Sequence, residues 1–191
     1  MLQRLAPVTG AMLLLAGCVA QSQLNTRAVS LPPDPATQMP ALERRIYELV
    51  DAERHKLSPQ ANALALDSEL VGVAREKSTD MAAHGYVAHA APGGQTAANL
   101  IMDKDASFQG LLGENIAAQP FPKSYGIDVE IYARRIVDTW LSSPAHRDNL
   151  AYPPYNRTGI GAAVSGDTIY VTELFATDLG LTEPNALSKP R

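Results

Sequence analysis

Cysteine is all but missing from this 191-residue chain: Cys18 is the only one, so no disulfide can form within it and any fold must rest on packing. An excess of charge of one sign is also missing. Lys and Arg number 16 against 20 Asp and Glu, a formal net charge of −4, and no run of five or six like charges occurs, which argues against a nucleic-acid partner or an acidic solvating tail. The sequence has no HExxH, GxSxG, P-loop or Rossmann glycine fingerprint, so common hydrolase and nucleotide mechanisms lose their support. No internal repeat is visible. What is present is ample apolar material: 46% of residues are hydrophobic, and the length suits one domain that buries roughly 70% of its unfolded surface.

The first residues do not read as domain sequence. Arg4 precedes an apolar stretch through Met12, Leu13, Leu14 and Leu15, and small residues then lead to Cys18, the order of a secretory signal peptide over residues 1–17. The stretch falls short of the ~20 apolar residues that a spanning helix needs. Leu15-Ala16-Gly17-Cys18 resembles the bacterial lipobox, whose cysteine becomes the lipidated first residue of the mature protein. Acyl chains contribute about 0.8 kcal/mol per buried methylene and one chain binds only reversibly, so a multiply acylated Cys18 would tie the chain stably to a membrane while the domain stays in water. Val19 after the cysteine, rather than Asp, resembles an outer-membrane address if the source is a diderm bacterium. Residues 18–39, with Pro32, Pro33 and Pro35, read as a flexible tether, 40–178 as the domain and 179–191 as a C-terminal tail.

Within the domain, Leu42, Ile46, Leu49 and Val50 recur at helical spacing opposite Glu43, Arg44, Arg45, Glu48 and Asp51, which predicts a helix with Pro40 in its first turn. A second helix is predicted from Asp67, as N-cap, through Leu70, Val71, Ala74 and Met81 to Gly85. Residues 87–113 read as a long loop with one helical turn near Ala97 to Met102. A third helix starts at Asp128, buries Val129, Tyr132, Ile136, Val137, Trp140 and Leu141, and stops at Pro144. After Pro153-Pro154 the period becomes two, with Ile160, Ala162 and Val164 before a Ser165-Gly166-Asp167 turn and Ile169, Val171 and Phe175 after it, which predicts a β-hairpin. Helices that cover a small sheet with antiparallel character give a three-layer α+β domain, because neither could bury its apolar face alone.

Polar residues collect at the expected loop edges: His84 and His89 around Gly85-Tyr86, Gly113-Glu114-Asn115, and His146-Arg147 with Asn149. Together with their neighbours they carry a resemblance. Gly85-Tyr86-Val87-Ala88-His89, Gly113-Glu114-Asn115-Ile116-Ala117, Trp140 through Leu150 (with Ser143-Pro144-Ala145-His146-Arg147 inside it), Gly159-Ile160-Gly161 and Tyr170 through Phe175 follow one another in the order seen in the CAP superfamily. This superfamily, also called the SCP domain, is named for cysteine-rich secretory proteins, antigen 5 and pathogenesis-related proteins, and the chain resembles its bacterial secreted or lipoprotein form. The resemblance implies an α-β-α sandwich with a largely antiparallel central sheet and a cleft. Better-known members hold two His and two Glu there, which bind a divalent metal in some cases.

The resemblance places His89 at the first His and Glu114 at the first Glu. Ser143 stands where those members have a second acid, and His146 belongs to the bacterial block, so His89, Glu114 and His146 are the candidate ligand-binding and metal-binding set. Glu173 is a candidate further carboxylate. Two imidazoles and one carboxylate suit Zn²⁺ with an open fourth position. An alternative use stands beside this one: His89 and Glu114 hydrogen-bond each other and fix loop ends, and His146 with Arg147 satisfies carbonyls at a helix end. Trp140 reads as core, Asn115 as a bridge between loop backbones, Tyr86 as core or cleft rim, and His55 and His84 as helix-end residues. The membrane anchor and the resemblance together imply a lipid-anchored binding module of the cell envelope, with a lipid, small-molecule or cell-wall ligand. Two alternatives are a hydrolase of peptide or envelope polymer, with Glu114 as general base and His89 polarising the reacting group, and a purely structural envelope protein.

Overall fold

The computed structural model describes residues 31–177. The signal peptide, Cys18, the first part of the tether and the tail 179–191 lie outside the described residues. The tether is read as flexible through residue 39, yet its last residues are folded. Asp34 accepts a hydrogen bond from the Ala36 N–H at 3.0 Å and caps a short 3-10 turn at Pro35–Gln38, and Met39 opens helix α1 (Met39–Leu57) with its side chain buried.

Helix α1 forms because its apolar residues repeat along one face, and Leu42, Ile46 and Val50 on that face are fully enclosed. Helix α2 (Ser68–His84) begins where Asp67 accepts from the Glu69 and Leu70 N–H groups at 2.9 and 3.0 Å. It ends at Gly85, whose φ of 67° is the left-handed cap that glycine adopts without strain. Val73, rather than Val71, carries the buried stripe of α2. Helix α3 (Ala97–Lys104) supplies the helical turn expected in the long loop, closed at its start by a reciprocal cap between Thr96 and Asn99. Helix α4 (Val129–Ser142) is capped by Asp128 and carries the Glu130 to Arg134 ion pair at 2.6 Å. Pro144 does not lead into a turn. It opens a further helix, α5 (Pro144–Ala151), because its ring suits a first helical position, where no N–H is needed.

The strands are β1 (Ala65–Leu66), β2 (Leu112–Pro120), β3 (Arg157–Ser165) and β4 (Thr168–Ala176), in the order β1-β3-β4-β2. The short β1 pairs parallel with β3 and the rest is antiparallel, which makes the sheet largely antiparallel as expected. The hairpin turns at Gly166-Asp167. Strand β2 corrects the expectation of a loop edge: Gly113-Glu114-Asn115 lies inside a nine-residue strand at the sheet's edge.

Helices α2 and α3 cover one face of the sheet, and α1, α4 and α5 cover the other, which completes the α-β-α layering. Gly159 and Gly161 explain how closely α2 sits. A β-carbon at either position would strike the α2 backbone, at Leu70-Val71 and at Ala74-Arg75 respectively. Arg75 of α2 and Glu43 of α1 meet beside β3, with Glu43 also accepting from the Ala162 N–H at 3.0 Å. Among the described residues no helix is long and apolar enough to cross a membrane.

Candidate functional site

Strand β2 has two faces, and the register decides what each one does. Paired residues of neighbouring strands point to the same side of a sheet. Glu114 pairs with Leu174, which packs with Leu70, Val73 and Ala74 of α2, so Glu114 points to the α2 side. Asn115 pairs with Glu173 and points to the side of α1, α4 and α5. Glu114 and Glu173 therefore stand on opposite faces, and Glu173 supplies no second carboxylate to the Glu114 site.

On the α2 side, His89 Nδ1 and Glu114 Oε2 are 2.6 Å apart. The His89 side chain is 60% exposed and that of Glu114 only 13%, so the pair opens to solvent through the imidazole. Burial pushes the Glu114 carboxyl above its ordinary proton affinity, and His89 and Lys77 pull it partly back. Its second oxygen, Oε1, is buried with no hydrogen-bond partner. His146 sits in the first turn of α5. Burial, with the His89 imidazole beside it, lowers its proton affinity, and its Nδ1 is also buried without a partner. The helix-end role expected for His146 is thus not the one observed, since its ring nitrogen Nδ1 satisfies no carbonyl.

Sequence reasoning missed Lys77. Its side chain is almost fully buried, and its amine donates to Tyr86 Oη at 3.0 Å and lies 4.9 Å from the centre of that ring. Burial lowers its proton affinity, and the charges of Glu114 and Asp80 oppose this. Tyr86, read as core or rim, is on the rim of this group: its hydroxyl donates to Asp80 Oδ2, and burial together with that bond raises its pKa. The signal for Lys77 was its spacing. It falls on the apolar stripe of Leu70, Val73, Ala74 and Met81, where a lysine has no place unless it meets something polar. His84 pairs with Asp80 at 2.9 Å and remains a helix-end residue, as does His55 beside Asp51.

The opposite face of β2 is fully occupied by structure. Asn149 of α5 donates to Glu114 O at 3.1 Å and to Asn115 Oδ1 at 2.9 Å, while Asn115 donates to His146 O at 3.1 Å. These bonds clip the Gly-Glu-Asn block to the His-Arg block, the bridging role expected of Asn115. Gly113 leaves room for the Tyr155 ring, which a β-carbon would strike and which stacks on Phe175 with centroids 5.4 Å apart. Trp140, enclosed as expected, donates to Ile116 O at 3.1 Å and covers the strand's outer edge. Arg54, buried at the end of α1, donates to the carbonyls of Asn62, Leu150, Pro153 and Tyr155 at 2.7 to 3.2 Å. Glu173 is enclosed nearby, accepts from Thr158 at 3.2 Å, and burial pushes its pKa up to about 8.

The three-ligand metal centre expected of His89, Glu114 and His146 is not assembled. Among the described residues no group of three or more His, Cys, Asp and Glu is arranged to hold a metal ion. His89 turns its Nδ1 to Glu114 Oε2, the way a carboxylate orients an imidazole.

Residues 47–177 match the family model described as "Cysteine-rich secretory protein family", CAP. An uncharacterized protein of Bacillus subtilis, YkwD, is 32% identical over 129 residues, 66% of this chain, which spans less than half, 44%, of that relative's length. Among solved structures, an outer surface protein of Borrelia burgdorferi is similar at a TM-score of 0.59 and 25% identity, covering 72% of this chain and 92% of that one. An extracellular SCP-domain protein of Bacillus anthracis is similar at 0.59 and 30% identity, covering 78% and 45%. A further solved structure, NaASP2 with Zn²⁺, at 14% identity, a TM-score of 0.52 and coverage of 76% and 83%, shows likeness of fold alone. The match over most of the domain, together with the α-β-α layers and the Gly-Glu-Asn strand, shows that this chain belongs to the CAP family of cysteine-rich secretory proteins, in its bacterial form.

Proposed function

We propose that this chain is an exported, lipid-anchored module of the bacterial cell envelope that binds a ligand from that envelope in the His89 and Glu114 cleft. The observation that carries the reading is the pair of buried polar atoms without partners, Glu114 Oε1 and His146 Nδ1, beside an imidazole open to solvent. A buried unpaired polar group costs about 1–3 kcal/mol, so a ligand that reaches either atom recovers energy that the free protein forgoes. Export agrees with the outer-surface and extracellular relatives, and anchoring through Cys18 rests on the lipobox resemblance. A divalent metal such as Zn²⁺ enters as a candidate occupant rather than as a built centre. The hydrolase alternative would take water as its nucleophile, activated by Glu114, and the structural alternative leaves the solvent-facing imidazole on a buried carboxylate without a use.

The test is calorimetry of the full chain against three probes: Zn²⁺, vesicles of bacterial lipid and soluble cell-wall fragments. The expected result is saturable uptake of one of them, weakened about tenfold or more in His89→Ala and Glu114→Gln while both variants stay folded. Uptake of none, or uptake that both variants retain, contradicts the reading.

A further inference from the structure

A second hollow lies beside this site, between α2 and the turn that leads into α3. Its volume is about 120 Å³ and it is lined by Glu76, Lys77, Asp80, Ala91, Gln95 and Leu100. At ~30 Å³ per water it has room for a few waters or for one small polar group. His89, Glu114 and His146 do not line it, and Lys77 is its link to them.

The walls are fixed before any ligand arrives. The Ala91 N–H donates to Gln95 O and the Gly94 N–H to Ala91 O, each at 2.8 Å, and a single β-bridge joins Ala90 to Thr96 just before the cap on α3. The two carboxylates are already engaged: Glu76 pairs with Lys104 at 3.0 Å, and Asp80 accepts from Tyr86 and pairs with His84. Unused capacity lies with the other two polar residues. An ammonium carries three N–H groups, and Lys77 gives one to Tyr86. The side-chain amide of Gln95 makes no hydrogen bond to any described residue.

The unused hydrogen-bonding capacity selects the occupant. Glu76 and Asp80 are already held by Lys104, His84 and Tyr86, so what the hollow leaves open is a donor at Lys77 and an amide at Gln95, which an uncharged group with one acceptor and one donor matches without adding a charge. We propose that this hollow binds an uncharged amide of the peptide-backbone kind, its carbonyl oxygen accepting from Lys77 and its N–H donating to the Gln95 side-chain oxygen, with Ala91 and Leu100 as the apolar wall.

The experiment is an NMR titration of the isotope-labelled full chain with three probes of similar size, N-acetylglycinamide, acetate and methylammonium, following the amide signals of residues 76–80 and 91–100. Saturable shifts with the amide are expected, with acetate and methylammonium about tenfold weaker or worse. Lys77→Met keeps the buried stem, and Gln95→Ala removes a side chain with no partner among the described residues; each is expected to weaken amide binding about tenfold. His89→Ala is expected to leave it unchanged, so the hollow is tested apart from the cleft reading above. Equal or tighter binding of acetate or methylammonium overturns the proposal. So does the absence of saturable shifts, retained affinity in both hollow variants, or loss of amide binding in His89→Ala.

Discussion

Glu114 and Asn115 are neighbours on one strand, yet the regions they face differ in kind. On the Asn115 side, Asn149, Arg54 and Trp140 give their donors to backbone carbonyls, and the layers are locked together. On the Glu114 side, a carboxylate oxygen and an imidazole nitrogen are buried without partners, and a lysine occupies an apolar stripe. The two buried carboxylates each keep one oxygen without a hydrogen-bond partner, and access to solvent is what separates them: Glu173 lies wholly inside, between layers, while Glu114 reaches solvent through His89. An unpaired polar group sealed in the core is a cost to the fold alone, and one beside solvent is where stability can be given up for binding.

The comparison breaks most visibly at Arg54. Arg54→Met removes the side-chain donor from four carbonyls, those of Leu150 and Tyr155 at buried bonds, and the expected loss is about 3 kcal/mol or more in urea unfolding. A loss under ~1 kcal/mol would show that α1 and α5 are held by packing alone.

Glu173 sharpens the comparison through pH. Its carboxyl titrates near 8 in the folded protein against an ordinary value of 4.5, so the folded state holds a proton that the unfolded state releases. Stability from this group is complete below 4.5 and is lost as pH rises toward 8, at up to about 1.4 kcal/mol per pH unit. Glu173→Gln cannot titrate. The difference in unfolding free energy between wild type and variant is expected to move in the variant's favour between about pH 5 and 7, at no more than about 1.4 kcal/mol per unit. A difference that stays flat with pH means that Glu173 is ionised in the fold.

Much of the fold was legible in the sequence because three helices and a hairpin carry strong periods, with Asp67, Gly85 and Asp128 marking ends and Gly166-Asp167 the turn. Strand β2 was not, because an edge strand that runs through Gly113, Glu114, Asn115 and Gln119 puts polar residues on both faces and hides its alternation. Helix α5 was missed because Pro144 is a stop signal for the helix before it and a start signal for the helix after it. In the site, the family resemblance brought His89 and Glu114 together across 25 positions, which no local spacing could do. Lys77 was visible as a charged residue on an apolar stripe, but its meaning needed the partner in Tyr86 and the neighbouring carboxylate.

The smallest expected effect on stability tests the central claim most directly. In Glu114→Gln the His89 contact keeps an acceptor, and Oε1 has no partner to lose. Equilibrium unfolding in urea is therefore predicted to give a stability within ~0.5 kcal/mol of wild type, or above it. A loss of about 2 kcal/mol or more would make Glu114 part of the scaffold, on the same footing as Arg54 and Asn115, and would remove the site.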